Sequence, residues 1–186
     1  AELGASFDRA SLERSKEIDV VEWDAEARDA FVSVLRAGRG AVPVFEALDQ
    51  SGVLTLLLPE WDRIRSLPQR NAYHRFTVDR HLLEAVAECA ALLDDDGFDG
   101  EVARRARVDL LLLAALLHDL GKGMEGDHSV VGAEAAVELA RRIGVDEPAV
   151  ATLDWLVRHH LALAETATRR DLSEEATITR FGRLVG

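Results

Sequence analysis

The 186-residue sequence predicts an all-α helical bundle. Apolar residues recur at helical spacing in nearly every segment, no alternating strand of useful length is present, and breaks fall at glycine and proline. A hydrophobic content of 48% supports a real core. The length suits one domain with a short extension. No internal repeat is visible.

Asp24 to Ala37 carries Ala27, Ala30, Phe31, Val34 and Leu35 at helical spacing and stops at Gly38. Val42 to Asp49 fits a second helix, with Pro43 in its first turn and Gly52 beyond its end. Leu54 to Leu58 then runs into Pro59, and Leu67-Pro68 forces a non-helical break. Thr77 is the expected N-cap of Val78 to Leu93, with Val78, Leu82, Ala85, Val86, Cys89 and Leu93 on one face. The turn Asp94-Asp95-Asp96-Gly97 closes it. That turn fails as a calcium loop, because Leu92 and Ala103 stand where oxygen ligands are required.

Arg104 to Leu120 reads as the central buried helix, apolar all round from Leu110 to Leu117 and stopped by Gly121. Ser129 or Asp127 can cap Val130 to Ile143, with Gly144 just past its end. Pro148 begins the next helix, which reaches His160 or a little further. Ser173 is expected to cap a last helix, with Glu174 and Glu175 in its dipole-favoured first turn. Residues 1–20 are expected to form a poorly ordered extension, 21–72 a helical lead-in on the core, and 73–186 the functional domain.

Lys and Arg number 22 against 34 Asp and Glu, a net charge of −12, which disfavours DNA, RNA and anionic membrane surfaces as partners. The apolar run Leu110–Leu117 is far too short to span a bilayer. The single cysteine, Cys89, suits a reducing cytoplasm and sits in an apolar stripe, where it reads as buried and inert. The chain does not begin with Met, so it reads as a fragment of something longer.

His118 and Asp119 are the anomaly. They close an apolar helix, and burying an imidazole beside a carboxylate costs free energy unless something pairs with them. A divalent cation is the natural partner, because both groups are good ligands. His81, His128, His159 and His160 can be grouped with them. His81 lies one turn into its helix, and His128 follows the buried helix by a short loop. His160 shares the face of Ala149, Leu153, Leu156 and Val157, and His159 points about 100° away. Each histidine alone reads as structural; the set points to metal.

His81, then His118-Asp119, then the later Asp171 follows the H…HD…D pattern and resembles the HD-domain metal-dependent phosphohydrolases. His128 and His159-His160 resemble its two-metal subgroup. Five blocks, Leu58-Pro59-Glu60-Trp61, Tyr73 to His81, Leu117 to Gly123, Gly126 to Ser129 and Arg169 to Ser173, are similar in order to the HD domain of the bifunctional uridylyltransferase/uridylyl-removing enzymes. The similarity covers about residues 20–186, and Tyr73-His74-Arg75-Phe76-Thr77-Val78-Asp79 is its most specific part.

That resemblance implies one ion on His81, His118, Asp119 and Asp171, and a second sharing Asp119 with His128, His159 and His160. Asp154 competes with Asp171 as the last carboxylate. The resemblance also implies catalytic roles for Asp119 and for Lys122, the latter neutralising charge on the phosphate; a cation on the helix dipole is the alternative reading of Lys122. His74, Arg75, Arg169 and Arg170 are candidates for substrate contacts. Mixed His and Asp donors suit Mn, Fe, Zn, Co or Ni better than an all-oxygen site.

The implied reaction is hydrolysis of the nucleotidyl-tyrosine phosphodiester on signal-transduction protein PII, with uridylyl or adenylyl removed, in nitrogen regulation. Nucleotidylated PII is then the expected partner. A phosphohydrolase of free nucleotides or cyclic dinucleotides is one alternative, and a regulatory or PII-docking module with a structural metal is another. The family also implies nucleotidyltransferase and ACT domains. Neither pattern stands in these 186 residues, since Gly4-Ala5-Ser6-Phe7-Asp8 lacks a second aspartate. The expected activity is removal of nucleotides without addition. Trp23, Trp61 and Trp155 read as packing residues.

Overall fold

The computed structural model describes Ala10, Arg14, 22–69 and 75–186, and among these residues every regular element is helical. The α-helices from residue 22 onward are α1 (Ala25–Arg36), α2 (Val42–Ser51), α3 (Val53–Leu57), α4 (Val78–Leu92), α5 (Phe98–Arg105), α6 (Val108–Leu117), α7 (His128–Arg142), α8 (Glu147–Arg158), α9 (Ala162–Arg169) and α10 (Glu175–Val185). Two 3₁₀ turns, Gly38–Gly40 and Pro59–Arg63, link the early helices.

The all-α bundle expected from apolar spacing is the architecture found. Its axis is α6, in which Leu112, Leu113, Leu116 and Leu117 are fully buried. A helix this apolar cannot face water on any side. It packs against α4 and α8, and α7 covers α8. Phe45, Leu54, Trp61 and Ile64 from the first helices enter the same core as Leu82, Leu116, Leu139 and Leu153, so 22–69 contributes directly to the packing around α6.

Local chemistry sets several boundaries differently from the sequence reading. The expected helix from Arg104 to Leu120 is two helices, because Ala106 is extended and ends α5, and α6 starts at Val108. At the α5 start, Gly100 lies so near the preceding turn that a Cβ there would meet Asp95 O at 2.0 Å. Of the two candidate caps for α7, Asp127 is the cap: its carboxylate accepts from the Ser129 N–H at 2.8 Å. Helix α8 is capped by Asp146, holds Pro148 in its first turn and ends at Arg158, with His159 as its C-cap. Ser173 does not cap α10. Glu174 holds that position, and Ser173 instead donates to Asp171 through both N–H and hydroxyl. Thr77 stands at the N-cap of α4 without a side-chain capping bond.

No helix of the described residues is long and apolar enough to cross a membrane. Cys89 is partly buried, and burial pushes its thiol above the ordinary value, in keeping with an inert packing role.

Candidate metal centre

Asp119 lies one residue past the His118 C-cap of α6 and is only 2% exposed, so its carboxylate is held among the packed helix ends. Both oxygens are used. Oδ2 faces His81 Nε2 at 3.6 Å, His118 Nε2 at 3.4 Å and Lys122 Nζ at 2.6 Å. Oδ1 faces His128 Nε2 at 3.8 Å and His160 Nε2 at 3.5 Å.

Two three-donor groups result, His81–His118–Asp119 and Asp119–His128–His160, and Asp119 belongs to both. In the first, His81 Nε2 and His118 Nε2 are 3.1 Å apart. Edges of 3.1, 3.4 and 3.6 Å match donors surrounding one ion held at about 2.0–2.2 Å from each.

The histidines are oriented for this task. His118 Nδ1 lies 2.9 Å from Ala115 O, and His160 Nδ1 lies 2.7 Å from Val157 O. A carbonyl only accepts, so Nδ1 of each neutral ring carries the proton and Nε2 keeps its lone pair towards Asp119. Metal-ligating histidines are ordinarily fixed in this way by a hydrogen bond through the other nitrogen. The donor chemistry therefore fits a divalent ion in each group.

The same groups keep the shared carboxylate ionised. Burial alone pushes the Asp119 carboxyl up, but His118, His160 and Lys122 hold it well below the ordinary carboxylate range. Burial lowers His160, while the Asp119 carboxylate and the Val157 carbonyl outweigh it and raise the imidazole above its ordinary value. Asp119 is thus anionic at any physiological pH.

A backbone contact delivers His128. Gly121, two residues after Asp119, is packed against the first turns of α7, where a Cβ would meet His128 O at 2.2 Å and Gly132 N at 2.6 Å. Any side chain there would lift α7 and His128 off the site.

Not every expected site residue is brought together. His159 lies outside both groups; its ring packs on Trp155, with centroids 5.0 Å apart. The reason is angular, because the chain leaves α8 at His159 and only His160 turns inward. Asp171 is exposed, and its carboxylate is occupied by Ser173 rather than by the cluster. Asp154 is tied to Arg158, at 2.6 Å. Arg75 is exposed, as are Arg169 and Arg170 beyond the cluster. His74 lies outside the described residues.

Sequence reasoning missed Gln69, whose side-chain oxygen accepts from Lys122 Nζ. Lys122 therefore bridges Asp119 and Gln69. Nothing in the local pattern after Leu67-Pro68 marks Gln69, since the contact spans 53 residues.

Two imidazole–carboxylate groups sharing one buried aspartate at the end of an apolar helix could hold divalent metal, as the class of HD metal-dependent phosphohydrolases requires. The chain belongs to the HD-domain family, whose model matches residues 78–183. It is 52% identical over 164 residues to the bifunctional uridylyltransferase/uridylyl-removing enzyme of Streptomyces coelicolor, an alignment covering 88% of this chain and 19% of that protein. Identity to the enzyme of the same name from Mycobacterium tuberculosis is 48% over 164 residues, again 88% and 19%. For Rhodospirillum rubrum it is 36% over 187 residues, covering 95% of this chain and 20% of the relative. The chain spans about a fifth of the length of these curated relatives.

Proposed function

We propose that this chain hydrolyses the phosphodiester joining a nucleoside monophosphate, uridylyl or adenylyl, to a tyrosine hydroxyl of PII. Water adds across the P–O bond, giving the free monophosphate and the unmodified tyrosine. The observation that carries the reading is the sharing of Asp119 between two donor groups. The names of the relatives support reading the activity as uridylyl removal.

His81, His118 and Asp119 would hold one divalent ion, and Asp119, His128 and His160 a second. Such ions lower the pKa of water enough to make it nucleophilic near neutrality. The protein's own part is positional. Ala115 O and Val157 O fix the tautomers of His118 and His160, and the packed helix ends hold the shared carboxylate dry. Lys122, anchored by Gln69, supplies a cation beside Asp119 for charge that develops on the phosphate oxygens. Asp119 and Lys122 are the catalytic residues of this reading; Arg75, Arg169 and Arg170 are its substrate contacts. His159 and Asp171 are not ligands in this reading.

A release assay on UMP-PII and AMP-PII, with metal content measured on the same sample, tests the proposal. Release of a nucleoside monophosphate that is lost in a His118→Ala/Asp119→Ala variant supports it. Comparable turnover of free nucleotides or cyclic dinucleotides without PII replaces it with the broader hydrolase. Retained release in the double variant removes the metallohydrolase altogether and leaves a docking module.

A further inference from the structure

His128 belongs to the metal centre, yet it also forms part of the wall of an open groove that runs away from that centre. The groove lies between the α7 start, the α8 end, α9 and α10, with a volume of about 1350 Å³. That exceeds the ~300–1,000 Å³ usual for a pocket enclosing a small ligand.

Its charge runs against the rest of the protein. In a chain of net charge −12, this groove is lined by Arg158, Arg169, Arg170, Arg180 and Arg183 against Asp127, Glu165 and Glu174, so cations are in excess. Two of these are already paired, Arg158 with Asp154 and Arg169 with Glu165. Arg170, Arg180 and Arg183 are exposed and make no ion pair with a described residue. Between the arginines the wall is apolar: Val130, Leu161 and Leu184 are 38, 37 and 40% exposed. Helix α10 buries only Thr177, so its groove-facing side is otherwise unfilled.

We propose that this groove docks an acidic, partly apolar segment of the protein whose nucleotidyl group is removed, with Arg180 and Arg183 as its specificity-determining contacts. The inference rests on the proposed function. Unpaired guanidinium groups alternating with exposed aliphatic side chains match a polypeptide bearing carboxylates and apolar anchors. A nucleotide alone would leave most of the groove empty, and the exposed aliphatic side chains among the arginines favour the apolar anchors of a polypeptide over a bare polyanion. Continuity at His128 would let a docked segment present its modified side chain to the two donor groups.

The test compares wild type, Arg180→Glu/Arg183→Glu, and Arg141→Glu as a control that reverses one exposed arginine outside the groove. Each is assayed on nucleotidylated PII at two salt concentrations and on bis(p-nitrophenyl) phosphate, with binding of nucleotidylated PII measured by titration. The groove variant is expected to raise KM for modified PII about tenfold with kcat retained, and to lose the salt dependence of KM. Its turnover of the small diester and its metal content stay at wild-type levels, and the control behaves as wild type.

An unchanged KM in the groove variant overturns the docking assignment while leaving the proposed function standing. So does an equal rise in the Arg141→Glu control, or a parallel loss on the small diester. Wild-type protein that cleaves the small diester but neither binds nor cleaves modified PII overturns the proposed function and the docking assignment together.

Discussion

Gly121 and Gly132 pack backbone against backbone: a Cβ on Gly121 would lie 2.6 Å from Gly132 N, and one on Gly132 would lie 2.9 Å from Gly121 N. This contact seats the start of α7 on the end of the buried helix. It sets the separation of His128 from Asp119, and so joins core packing to the site.

Gly121→Ala is therefore expected to damage both. Overpacking of this kind costs about 1–3 kcal/mol, read as a lower unfolding midpoint in urea. Metal titration of the variant should show loss of the ion held by Asp119, His128 and His160 first, because His128 moves and His81 and His118 do not. A variant with wild-type stability and two intact sites would refute this coupling.

Substitution at the shared carboxylate should separate bridging from peripheral residues. Asp119→Asn is expected to lower hydrolysis by more than the 10–100-fold typical of losing a group that only supports a ligand, with both ions weakened in elemental analysis. His159→Ala and Asp171→Ala should keep their metal, since neither side chain joins a donor group. Metal loss in the Asp171 variant would place that carboxylate back among the ligands.

Removing the ions should destabilise the fold, because five side chains from four stretches of chain converge on them. A ligand present at a hundred times its Kd stabilises by about 2.7 kcal/mol. Chelation should therefore lower Tm, and Mn, Zn or Co should restore it in proportion to log concentration. An unmoved Tm would show that the site is preformed without strain and binds weakly.

A carboxylate outside both donor groups should govern part of the acid limb of stability. Arg142 grips Glu60 through two bonds, Nη1 to Oε1 at 2.5 Å and Nη2 to Oε2 at 2.8 Å, tying the Pro59–Arg63 turn to the α7 end. Burial pushes the Glu60 carboxyl up, but the paired guanidinium outweighs it and holds the group below its ordinary 4.5. A lowered folded-state pKa contributes stability that is full above the unfolded value and is lost as pH falls through the folded one. Urea midpoints should decline below about pH 5, and Glu60→Gln should flatten that decline. An identical slope in the variant would assign the acid limb to other carboxylates.

The helical class was legible because it depends on local periodicity. The apolar run Leu110–Leu117 can exist only as a buried helix, and its length places His118 and Asp119 at its end. The convergence of His81, His128 and His160 was legible for a related reason, since each stands at a helix end joined by short connections. Boundaries were less so. Nothing in Arg104–Leu110 announces that Ala106 is extended, because close packing of Gly100 on the preceding turn, not composition, fixes where α5 lies.

Amino-acid order alone thus determined an all-α bundle, a buried imidazole–carboxylate pair and a resemblance that named the chemistry. Tertiary structure decided what depends on direction in space. It turned His160 inward and His159 onto Trp155, committed Asp171 to Ser173, and tied Lys122 to Gln69. It also gathered five arginines from α8, α9, α10 and the loop between them into one groove. The physical reason is the same in each case: periodicity gives the face a residue occupies, but the partner on that face is set by contacts between residues distant along the chain.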